Sequence, residues 1–146
     1  MRTVLLSALL IVLATLALSA QSRRGETSGI VTAAQVNGTW SYNENTFKIL
    51  ALGKGKLKVE FEGVYPYLDA SGEETANTGS YIGVAKIEGR VATITMEDYP
   101  DCTITMTFTG RELVVIEDGS FCGFGNNVTS RGTYVRESKR RPRFSE

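Results

Sequence analysis

"RVATITMEDYPDCTITMTF", residues 90–108, holds two runs of strict alternation around a short acidic break. In the first run Ala92, Ile94 and Met96 share one side. In the second, Cys102, Ile104, Met106 and Phe108 share a side while Thr103, Thr105 and Thr107 take the other. A period of two places alternate side chains on opposite faces of a strand, and a helix needs apolar residues at spacings of three and four. Apolar-in, polar-out alternation marks antiparallel strands with one face on a core and one in water.

The same pattern extends outward in both directions. "KLKVEFE" (56–62) sets Leu57, Val59 and Phe61 against Lys58, Glu60 and Glu62. Strands are expected at roughly 36–42, 46–52, 56–62, 80–88, 90–96, 102–109, 112–117 and 129–136. The links "GKG" (53–55), Gly89 and Gly110-Arg111 are tight turns, so neighbours in sequence pair in space. The fold class is therefore all-β. Eight meandering antiparallel strands predict a small up-and-down barrel, which removes exposed edges. An open sheet or a β-sandwich is the alternative.

In such a meander, alternate connections share an end. The tight turns 53–55, 89 and 110–111 gather at one end, called the floor here. The links 43–45, 63–79, 97–101 and 118–128 gather at the other, the mouth, and include every long loop. Long loops in compact domains tend to carry function.

The ends of the chain add a compartment. Residues 1–20, "MRTVLLSALLIVLATLALSA", join a basic n-region to an apolar run and a small residue, the pattern of a cleaved secretory signal peptide. Val4–Leu18 is short for a membrane span, which needs about 20 residues. The mature chain is expected to be secreted or periplasmic and not membrane-spanning. Residues 21–35 read as a flexible leader, 36–136 as one β-barrel domain, and 137–146 as a basic disordered tail. Formal charge is zero, with basic residues concentrated in the tail, and a nucleic-acid partner is not expected.

Cys102 and Cys122 are the only cysteines, and an oxidising compartment favours pairing them. With Gly110-Arg111 as the turn, Cys102 lies opposite Gly119. A bridge to Cys122 then folds the 118–128 loop back across the mouth. The competing reading is a nucleophilic or metal-binding cysteine, but the chain has no histidine to serve as base or co-ligand.

"GTW" (38–40) on the first strand, with a late arginine (Arg136 or Arg131), resembles the lipocalin-like, or calycin, pattern. The resemblance implies a tryptophan packed under that arginine at the barrel floor. The chain lacks the family's C-terminal helix, and its strands are short for a deep cup. The second half, "GVAKIEGRVATITMEDYPDCTITMTF" through "CGFGNNVTSRGTY", resembles a small secreted β-domain of bacterial envelope proteins.

Several residues are candidates for function. Tyr65, Tyr67, Leu68, Tyr99, Phe121 and Phe124 fall on the mouth links, where aromatic anchors beside small residues make contact surfaces. The competing reading is that these rings fold inward and plug the barrel. Asp98, Asp101 and Asp118, with Glu97 and Glu117, form an acidic group that is a candidate for Ca²⁺ or for a basic protein surface. Asn37-Gly-Thr39 and Asn127-Val-Thr129 match the glycosylation acceptor pattern. The function expected is a secreted, non-enzymatic binding or inhibitor module, with no cofactor, whose partner is a protein of the cell envelope or extracellular space. The alternatives are a lipocalin-like carrier of a small apolar ligand and a carboxylate-based hydrolase.

Overall fold

A computed structural model describes residues 31–145. The expected signal peptide and leader residues 21–30 lie outside the described residues. The strands are β1 (Gly38–Tyr42), β2 (Asn45–Gly53), β3 (Lys56–Leu68) and β4 (Glu74–Glu88), then β5 (Val91–Thr95), β6 (Thr103–Phe108), β7 (Glu112–Asp118) and β8 (Gly132–Ser138). Each pairs antiparallel with the next, and β8 returns to β1, giving the closed eight-stranded up-and-down barrel.

The interior is the set of alternating residues the sequence predicts. Phe47, Ile49, Leu57, Val59, Phe61, Ile94, Ile104, Met106, Phe108 and Leu113 are all buried, and most are bulky. Tyr134, Phe47, Phe61 and Phe124 form a column of rings with successive centroids 5.0, 4.9 and 5.0 Å apart, running up to the mouth. The Tyr134 hydroxyl donates 2.7 Å to the Ser130 carbonyl, so its one polar atom is satisfied inside the core. Burial pushes the Tyr134 pKa well up.

At the floor, Trp40 is fully buried and its Nε1–H donates 3.1 Å to the Val36 carbonyl. That carbonyl belongs to a one-turn helix, α1 (Ala33–Val36), whose start is closed by a reciprocal Thr32–Gln35 capping box. The Arg136 guanidinium lies 4.3 Å from the Trp40 ring centroid, and its Nη1–H reaches the Ala34 carbonyl at 2.9 Å. Burial lowers the Arg136 pKa. Of the two arginines named from the sequence, Arg136 takes this place; Arg131 sits at the mouth, donating to the Glu117 carbonyl. Gly38 is required before Trp40, since it has φ +139° and a Cβ there would lie 2.0 Å from the Ser138 carbonyl oxygen. Asn37 is committed as well, its Oδ1 accepting the Ala51 N–H at 2.7 Å.

Three expectations are corrected. The first concerns the leader, whose end belongs to the domain. Val31 N–H donates to the Gly89 carbonyl at 3.1 Å, and α1 packs under Trp40. The second concerns 63–79, expected as a long loop. It is a continuation of β3 and β4, paired from Gly63↔Gly79 to Leu68↔Glu74. Neither outer strand follows it, because β2 stops pairing at Thr46↔Glu62 and β5 pairs β4 only over Lys86–Glu88. The segment is a two-stranded ribbon standing beyond the barrel rim.

The third correction is the basic tail, which is seated on the outer wall rather than disordered. Phe144 lies under Lys58, with Nζ 4.5 Å from the ring centroid. Ser145 donates its N–H to Glu60 Oε2 at 2.7 Å and its hydroxyl to Oε1 at 3.0 Å. Lys48 Nζ holds Oε1 at 2.6 Å. Glu60 points outward by strand parity, yet only 3% of it is exposed, because the tail covers it. Burial alone pushes its carboxyl pKa up, but the bonds from Lys48 and Ser145 outweigh burial and leave it below the ordinary value.

A pH dependence follows from that shift. A depressed folded pKa gives a contribution that is complete above the unfolded value of about 4.3 and is lost as pH falls through the folded value. Acid therefore weakens the seating of the tail on Glu60. Hydrogen exchange should show the Ser145 amide protected at pH 6 and losing that protection as pH falls below the ordinary carboxylate range, with the Phe47 amide still protected when it does. Free exchange of Ser145 at pH 6 contradicts the seating.

Candidate functional site at the barrel mouth

Four links form the mouth, and one cross-link organises them. Cys102 and Cys122 are disulfide-bonded, with Cα atoms 5.2 Å apart. Gly119 permits the return, since its φ is +124° and a Cβ there would lie 2.3 Å from the Asp101 carbonyl oxygen. The loop after β7 then crosses to the ribbon. Gly125 N–H donates 3.1 Å to the Thr78 carbonyl, and Asn77 Nδ2–H donates 2.8 Å to the Asn126 carbonyl. The far side of this loop is pinned to β7, where Glu117 Oε2 accepts from Ser130 N–H (2.6 Å), Ser130 Oγ (2.7 Å) and Thr129 Oγ1 (3.0 Å).

The six candidate contact residues divide. Phe124 is the plug. It is buried against Phe61, and the absence of a side chain at Gly79 makes its space: a Cβ there would lie 2.7 Å from the Phe124 Cβ. Tyr99 is half-buried, packed over Gly123, and it meets Phe121 edge-on at 5.2 Å. Phe121, Tyr65, Tyr67 and Leu68 are exposed, at 56%, 41%, 41% and 65%. Tyr65 and Tyr67 continue the inward parity of Phe61 beyond the rim, while Val64, Pro66 and Leu68 take the other face.

Each edge of the ribbon is engaged near the rim. On the β3 edge Val64 N–H donates to Asn45 Oδ1 at 3.1 Å, and two residues on, Pro66 has no N–H to offer. On the β4 edge the Thr78 carbonyl is taken by Gly125. Its tip is a tight turn in which Asp69 Oδ1 accepts Ser71 N–H (2.8 Å), Ser71 Oγ (2.6 Å) and Glu73 N–H (3.0 Å). The Ser71 hydroxyl, with these amides, holds the Asp69 carboxyl below its ordinary pKa. The ribbon thus presents two faces, with its edges engaged only near the rim.

Beside the ribbon lies an open hollow of about 500 Å³, lined by Phe121, Cys122, Phe124, Asn126, Asn127 and Val128 among others. The carboxylates do not converge. Among the described residues, no group of three or more Asp, Glu, Cys or His side chains is placed to hold a metal ion, so Asp98, Asp101 and Asp118 are not brought together as a site. No helix among the described residues is long and apolar enough to cross a membrane.

No protein-family model, curated protein or solved structure matches the chain.

Proposed function

We propose that the domain is a secreted, non-enzymatic binding or inhibitor module, built on a lipocalin-like barrel, that engages a protein partner through the ribbon at its mouth. One observation carries this reading: Tyr65, Tyr67 and Leu68 stand exposed on a ribbon that leaves the barrel and is held at its rim end by Asn45 and Gly125. Large side chains held on a rigid scaffold lose little freedom on binding, which is the usual design of an anchor. The filled interior favours a protein partner over a carried ligand. A drug-sized molecule needs an enclosing pocket of roughly 300 Å³ or more; here the barrel axis is occupied by the aromatic column, and the hollow of about 500 Å³ at the mouth is open rather than enclosed. The lipocalin-like assignment is supported by Arg136 stacked on Trp40 at the floor. An envelope or extracellular partner follows from the signal-like segment at residues 1–20.

The test is retention of proteins from envelope extract by the immobilised chain. Tyr65→Ala with Tyr67→Ala should abolish retention of specific partners while changing stability by less than about 1 kcal/mol, as surface positions usually do. Lys54→Ala or Arg111→Ala, at the floor, should leave retention unchanged. Loss of partners only in the floor variants overturns the reading.

A further inference from the structure

Closure of the barrel sorts its charges in a way that the net charge of zero conceals. The floor turns carry Lys54, Lys56, Arg90 and Arg111, all exposed, against two exposed carboxylates beside those turns, Glu88 and Glu112, of which Glu88 is paired with Lys86. The tail leaves β8 at Ser138 and reaches β3 at Lys58, so Lys139, Arg140, Arg141 and Arg143 lie along the floor half of the wall, also exposed. Among the described residues none of these eight cations has a carboxylate within ion-pair distance; the ion pairs there involve Lys48 and Lys86. The mouth is the opposite pole, and the ribbon segment 62–79 holds Glu62, Asp69, Glu73 and Glu74 with no lysine or arginine.

A second feature lies at the same basic end. An apolar hollow of about 290 Å³ opens between α1 and the floor turns, walled by Val31, Val36, Ala51, Leu57 and Ile87, with Lys56 on its lining. Polyanions would use the cations and leave such a hollow empty. A surface of anionic amphiphiles uses both, with head groups on the lysines and arginines and part of an acyl chain in the hollow. The shape agrees, since among the described residues the floor turns are minimal and no long loop stands out from that end. We propose that the floor end is a docking surface for an anionic lipid layer. Bound this way, the chain faces its acidic, aromatic mouth away from the lipid.

The experiment is co-sedimentation of the chain from Gln21 onward with vesicles of phosphatidylglycerol and phosphatidylcholine, with pure phosphatidylcholine and soluble polyphosphate as the other arms. Binding to the anionic vesicles is expected, weakening as salt screens the charges. Lys54→Gln, Lys56→Gln and Arg90→Gln together should lower the affinity roughly 100-fold, at about fivefold per cation near the surface. Ala33→Phe, which fills the hollow from an exposed position, should weaken it several-fold with the charges intact. Circular dichroism establishes that each variant is folded. Equal binding to pure phosphatidylcholine, binding to polyphosphate without vesicles, no vesicle binding, or indifference to Ala33→Phe each overturns the proposal. The ribbon variants Tyr65→Ala and Tyr67→Ala should sediment like the unaltered chain, which separates this outcome from that of the mouth.

Discussion

Trp40→Ala should lower the stability of the domain by about 3–5 kcal/mol, the range for truncating a fully buried aromatic residue. The large value has three sources. The indole is completely buried and packs edge-on against Phe108 at 5.9 Å. Its Nε1–H holds α1 through the Val36 carbonyl. Its face supports the Arg136 guanidinium, a contact that contributes about 0.5–2 kcal/mol. Arg136 Nε and Nη2 are buried without hydrogen-bond partners, so the ring is what compensates them. Removing it leaves a buried charge over a cavity. Denaturant unfolding followed by circular dichroism measures the loss; a change below about 1 kcal/mol would mean that the floor is held by something other than Trp40.

Replacing both Cys102 and Cys122 by serine should cost about 3 kcal/mol, because the bridge closes 20 residues of chain and the released loop regains that entropy when unfolded. The structural consequence is local. Phe124 lies two residues beyond Cys122 and caps the aromatic column at Phe61. Without the bridge, the loop relies on the Gly125–Thr78 and Asn77–Asn126 bonds and on the Glu117 pin. Thermal unfolding should therefore show a lowered midpoint. Hydrogen exchange should rise first at residues 120–126 and only later in β6. An unchanged midpoint in the double variant would show that the bridge does not organise the mouth.

Much of this architecture was legible in the sequence because it follows from a period of two. Alternation fixed which residues of "RVATITM" and "DCTITMTF" face inward, and the glycine turns set the order of pairing. The opposition of Cys102 and Gly119 follows from the Gly110-Arg111 turn alone. The ribbon was hidden because Pro66, Gly63, Gly72 and Gly79 read as breakers. Pairing reveals why two of them are tolerated: Pro66 sits on an edge that no neighbouring strand pairs, and Gly79 makes room for Phe124. The seating of the tail is not legible in sequence, because four cations without an apolar period look solvated. Its anchor, Glu60, is 85 residues away in sequence, and no local pattern links it to Ser145. Phe124 could not be told from Phe121 by composition, since both stand beside a glycine or cysteine in the same loop. The disulfide and Gly79 turn one ring inward and leave the other out.

Site-specific photocrosslinking tests the proposed function most directly. A photoreactive phenylalanine analogue is placed at Tyr67 on the ribbon or at Arg111 on the floor, and the chain is irradiated in envelope extract. The predicted result is discrete protein adducts from position 67 that are competed away by excess unaltered chain, and none from position 111. Competed protein adducts from position 111, with none from position 67, would contradict a partner-binding mouth.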